Sequence, residues 1–138
     1  MKGQYLTVEY IMFFLIGITL VISVYYIFSN ISNIAEERTV NSQINAVGET
    51  LRGTIINMFE IVSSTNSEVN YNISIPVKLS RCIYTIEVLG NNLNLNCLNS
   101  QIGTSLSLYN LNITAKNIIY STNGYVEISA KNGMVELG

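Results

Sequence analysis

The stretch that most constrains this chain is Gln4–Phe28, QYLTVEYIMFFLIGITLVISVYYIF, because from Tyr10 to Phe28 it carries no charge at all. At about 1.5 Å rise per residue, those roughly nineteen positions span the ~30 Å hydrocarbon core of a bilayer. Tyr5 and Tyr10 mark one end and Tyr25 and Tyr26 the other, where amphipathic rings suit a membrane interface. Glu9 stands at the lip of the run, and only Met1, Lys2 and Gly3 precede Gln4. No small-residue cleavage site of the signal-peptide kind follows Phe28, so the segment is expected to be retained, and any cut falls before it.

The helical pattern runs on past the apolar segment. Ile27, Ile31 and Ile34 continue one face; after the polar passage Glu36–Thr39, Ile44, Val47, Leu51, Ile55, Met58 and Val62 form an amphipathic stripe. No proline occurs before Pro76. Unbroken from Tyr5 to Val62, such a helix would be about 87 Å long. Gly48 and Gly53 are its weak spots, each costing roughly 1 kcal/mol relative to alanine, and they and the stretch Asn30–Asn33 are the places for a kink or a melted turn, which leaves the continuity of the helix open. The stripe reads as the core-facing side of a helix lying on the following domain. Tyr10–Ile34 has no such domain beside it and faces lipid or other subunits.

After Ser63-Ser64-Thr65-Asn66 the period changes to two. Val69–Ile75, Cys82–Val88, Leu93–Cys97, Leu106–Leu108, Leu111–Ala115, Val126–Ala130 and Val135–Leu137 alternate apolar with polar residues. Gly90-Asn91-Asn92, Asn99–Gly103, Thr122-Asn123-Gly124 and Asn132-Gly133 carry turn chemistry. The expected fold class is α+β: a long N-terminal transmembrane helix, then a small domain of six or seven antiparallel strands. That domain is either a sandwich or a sheet wrapped on the helix. The expected limits are a leader at 1–3, a helix at 4–62 spanning the membrane at about 10–28, and a β domain at 63–138.

Cys82 and Cys97 flank one predicted hairpin, and outside the cell such a pair is usually bridged. A register pairing Cys82 with Cys97 also pairs Tyr84 with Leu95 and Ile86 with Leu93, with Leu89-Gly90 at the turn. A loop over Leu89–Asn92 would instead set Tyr84 opposite Cys97 and strain the bridge. The alternative to a bridge is two buried thiols. Asn30-Ile31-Ser32, Asn72-Ile73-Ser74 and Asn112-Ile113-Thr114 are N-glycosylation sequons, of which Asn72 and Asn112 fall on predicted polar strand faces.

Composition narrows the function. Charged residues make up 12% and the net charge is −2, so no nucleic-acid footprint exists. Histidine and aspartate are absent, which removes most hydrolytic triads and zinc sites. The expectation is a non-enzymatic chain with no catalytic residue, metal or cofactor. Lys2 is the positive charge before the span and Glu36-Glu37-Arg38 follows it, so Met1 is expected in the cytoplasm and the β domain outside.

Lys2-Gly3-Gln4, with Glu9 and Tyr10 after them, resemble the start of archaeal type IV pilins and archaellins, over about the first thirty residues. The resemblance implies that a prepilin-type peptidase cuts between Gly3 and Gln4. It also implies that Glu9 pairs with the free α-amino group of Gln4 on a neighbouring subunit. Glu9 is the sixth residue from Gln4, one more than usual in that family, which turns the carboxylate about 100° around the helix. The implied function is a homopolymer: a pilin-like subunit of a surface filament, built by an assembly platform in the membrane and serving adhesion, motility or DNA uptake. The alternative is a permanently anchored accessory protein whose β domain binds a surface-layer or filament-machinery partner.

Overall fold

The computed structural model describes residues 2–65, 67–115 and 117–138, with the side chains of residues 2–6 outside the description. One helix, α1, runs Lys2–Thr65. Its end is marked by hydroxyls that turn back on the backbone, Ser64 Oγ and Thr65 Oγ1 both donating to the Ile61 carbonyl at 2.9 and 2.7 Å. The chain divides into two compact units, the first ending at Glu36 and the second running Glu37–Gly138, so the division falls within α1.

The first unit is helix alone. Every residue from 7 to 35 is exposed. In the second unit, the apolar stripe of α1 is buried at Val40, Ile44, Leu51, Ile55, Met58 and Val62, with Val47 and Phe59 half-buried beside it. Gly48 lies on the same face, and its lack of a side chain matters. A Cβ there would stand 2.7 Å from Leu106 Cδ1 and 3.4 Å from Leu95 Cδ1. The glycine thus lets the helix approach the strands closely rather than breaking it, and α1 is helical through both Gly48 and Gly53.

Eight strands follow: β1 Val69–Ser74, β2 Tyr84–Leu89, β3 Asn92–Cys97, β4 Gly103–Ser107, β5 Ile113–Ala115, β6 Ile119–Tyr120, β7 Tyr125–Lys131 and β8 Met134–Leu137. They form two four-stranded sheets, ordered β1-β7-β8-β5 and β4-β3-β2-β6. The inner faces of both supply one core with the α1 stripe, among them Leu93 and Leu95 from one sheet and Val126 and Ile128 from the other. This is the expected α+β fold with two departures. β6 is an extra two-residue strand, and β5 pairs with β8 in parallel, Ile113 against Val135. Neither shows in the sequence, because strands of two and three residues display no period.

The β2–β3 hairpin corrects the expected register. Tyr84 lies opposite Cys97, Ile86 opposite Leu95 and Leu89 opposite Asn92. Gly90, at φ +61°, takes the first place of the two-residue loop, where a type II′ turn requires positive φ and glycine adopts it freely. The disulfide nevertheless joins Cys82 to Cys97, with Cα atoms 5.6 Å apart. Cys82 stands outside the ladder: its N–H donates to the Leu79 carbonyl and the Leu79 N–H donates back, both at 2.9 Å, around a turn with Ser80 at φ +54°. Leaving the ladder after Ile83 lets Cys82 reach diagonally to Cys97. The strain expected of this register presupposed that both cysteines were strand residues.

A buried polar knot ties the segment before β2 to the end of β6. Ser121 is fully buried; its hydroxyl donates to the Val77 carbonyl at 2.7 Å and accepts the Tyr84 N–H at 3.1 Å. The Tyr84 phenol donates to the Pro76 carbonyl at 2.8 Å. Burial pushes that phenol up to about 12, because the phenolate would lose its hydration.

Candidate assembly surface and membrane anchor

The candidate site is the exposed face of α1 in the first unit, and its chemistry begins with what it lacks. From Tyr10 to Ala35 there is no charged side chain. Large apolar side chains point outward on all sides, with Phe13 64% exposed and Phe28 73%. A helix of a water-soluble protein draws most of its stability from packing one amphipathic face against a core, and this segment has no polar face to leave outside. Its surface therefore matches an apolar surrounding, lipid or a like helix. α1 is the one described helix long and apolar enough to cross a membrane, a candidate membrane anchor.

The few polar groups in the segment are arranged for such a surrounding. Thr19 Oγ1 donates to the Leu15 carbonyl at 2.8 Å and Ser23 Oγ to the Thr19 carbonyl at 2.7 Å. Each hydroxyl is satisfied within its own helix and asks nothing of a solvent that cannot hydrogen-bond. Gly17 leaves a shallow apolar notch between Phe14, Ile18, Val21 and Ile22. Small residues of this kind set how closely two membrane helices approach, since lipid and leucine are equally apolar and packing decides.

Of the residues singled out in the sequence, Lys2, Gly3 and Gln4 fall in α1, with their side chains outside the described residues. Glu9 is exposed on α1, at the charged edge of the apolar segment. A carboxylate there costs less than the ~2.5–3.5 kcal/mol of a bilayer centre. The sequons are separated. Asn30 is exposed on α1, Asn72 on β1 opposite Glu127, and Asn112 just before β5. Asn112 also accepts the Val135 N–H through its carbonyl at 3.1 Å. Cys82 and Cys97 are both buried in the core. Among the described residues there is no group of three or more histidine, cysteine or acidic side chains placed to hold a metal.

Sequence reasoning missed the Tyr84–Ser121 knot. Its only signal was a serine beside a short Ile-Ile-Tyr run, indistinguishable from turn chemistry. No protein-family model, curated protein or solved structure matches this chain.

Proposed function

We propose that this chain is a pilin-like structural subunit of an archaeal type IV pilus-type surface filament, assembling through its N-terminal helix. The observation that carries the reading is the uncharged, exposed helical segment 10–35, joined to a β-rich unit with its own core. Lys2-Gly3-Gln4 and Glu9 support it by their resemblance to a prepilin processing site and its acidic partner. Before assembly the segment spans the membrane, with the N-terminus cytoplasmic and the β unit outside. On assembly the apolar surface passes from lipid to neighbouring helices. That exchange gains little from hydrophobicity, so shape complementarity at places such as Gly17 directs it. Glu9 adds direction if it meets the α-amino group of a neighbouring Gln4, since each charge is costly alone where water is scarce. No step requires catalysis.

The experiment is to shear the native cells and pellet the released filaments. A subunit is recovered as polymer in that pellet, together with a membrane pool. Chain found solely in the membrane fraction would favour a permanently anchored accessory protein instead.

A further inference from the structure

The outer face of the β4-β3-β2-β6 sheet carries a pattern that the fold does not require. β3 alternates buried Leu93, Leu95 and Cys97 with Asn92, Asn94 and Asn96 on the opposite face. β3 is an interior strand, paired with β2 on one side and β4 on the other. Asparagine is depleted in strands, where β-branched and aromatic side chains fit the pleat better. A merely solvated face would be as well served by threonine. Departures from local preference without structural return collect at functional places. Among the described residues, none of these three side chains is hydrogen-bonded within the chain.

The register turns the three amides into a grid. Asn96 lies between Thr85 and Gly103, and Asn94 between Glu87 and Ser105. Asn92 lies between Leu89 and Ser107. Along β3 the amides recur about every 6.6 Å, twice the rise per strand residue. Gly103 makes room for the Asn96 amide: a Cβ there would collide with Asn96 Oδ1 and stand 2.9 Å from the Leu95 carbonyl oxygen. Thr85 on the other side of Asn96 is buried, its hydroxyl donating to the Asn96 carbonyl at 3.4 Å, and beyond it Tyr120 presents a ring that is 45% exposed.

The charge pattern selects the partner. Glu87 is the one charged side chain on this face among the described residues. Nucleic acid, an acidic peptide or a lipid headgroup would find no counter-charges here. A carboxamide offers two donors and an acceptor together, which answers neighbouring hydroxyls on a sugar ring. Glu87 accepts from a further hydroxyl, and the Tyr120 ring offers an apolar face to the C–H side of a sugar. We propose that this face, the Asn92-Asn94-Asn96 ladder between Ser105 and Glu87 with Tyr120 at its end, binds a neutral polysaccharide. This goes beyond the filament reading and stands whether the chain polymerises or remains anchored.

The test is native electrophoresis of the full chain in a polyoxyethylene detergent, which has no sugar headgroup, through gels containing dextran, mannan or hydroxyethyl cellulose. The parent should be retarded in at least one of these. Asn94→Thr with Asn96→Thr restores residues that strands favour, so its melting temperature should equal or exceed the parent's, while its dissociation constant rises about tenfold. Asn70→Thr with Asn72→Thr, on the other sheet, should leave retardation unchanged. No retardation of the parent in any of the three gels would overturn the proposal, as would equal retardation of the Asn94/Asn96 variant. So would a fall of the Asn94/Asn96 variant's melting temperature by several degrees.

Discussion

At the residue scale, Glu9 and Tyr84 show how different the surroundings of two ionisable groups can be. Glu9 is exposed beside an apolar segment, so its contribution depends on what comes to meet it. Under the filament reading, Glu9→Gln leaves the β unit folded and membrane insertion intact, because neutralising a charge at the lip makes insertion slightly easier. Recovery in sheared filaments should fall sharply, since the partner's amino group must then be desolvated unpaired. Membrane level and sheared yield, measured side by side, check this; an unchanged yield would remove Glu9 from the assembly mechanism.

Tyr84, in contrast, is fully buried with its phenol on the Pro76 carbonyl. Its pKa of about 12 in the folded chain stands above the ~10 of an unfolded tyrosine. Below pH 10 the phenol is neutral in both states and its full contribution is present. As pH rises from 10 towards 12, the unfolded chain loses this proton before the folded chain does, and stability falls. Tyr84→Phe should therefore lose about 1 kcal/mol near neutral pH, from the missing hydrogen bond, and show a shallower loss of stability between pH 9 and 11. Thermal melts of both proteins at those two pH values read the difference, and parallel losses would contradict it.

At the element scale, two glycines in α1 with the same local propensity have opposite surroundings. A Cβ at Gly53 meets nothing within 4 Å, so Gly53→Ala should raise stability by about 1 kcal/mol through helix propensity alone. At Gly48 the new methyl runs into Leu106, and the gain is offset by repacking, so the variant should melt at or below the parent. A Gly48→Ala variant more stable than Gly53→Ala would contradict this packing. The comparison also shows what a sequence displays. The stripe from Ile44 to Val62 was legible because burial on one face imposes the helical period, and the alternation in β3 was legible for the corresponding reason at period two. Gly48 was misread as a weak spot because the side chain that requires it, Leu106, lies 58 positions later. The hairpin register was misplaced because local pattern cannot reveal that Cys82 leaves the ladder for a turn with Leu79. A two-residue strand such as β6, or the parallel β5–β8 pair, is set by tertiary packing and has no period to read. Of the candidate assembly surface, the apolar extent was plain from the missing charge alone, whereas the internal hydrogen bonds of Thr19 and Ser23 needed coordinates.

At the scale of the whole molecule, the two units solve different problems. Glu37–Gly138 closes its own core, drawing on one face of α1 and on both sheets, and one disulfide fastens its hairpin. The described residues of the unit up to Glu36 form no core of their own and present apolar side chains all round, so their surroundings must supply what a core would. Under the proposed filament function those surroundings are lipid first and like helices afterwards, with processing at Gly3-Gln4 marking the passage between them. The most direct test is the intact mass of the chain recovered from sheared filaments and, separately, from membranes. Filament chains should begin at Gln4 and carry the Cys82–Cys97 bridge, and Gly3→Val should abolish this form. Filament chains that retain Met1-Lys2-Gly3, or a Gly3→Val variant processed like its parent, would contradict the proposed function.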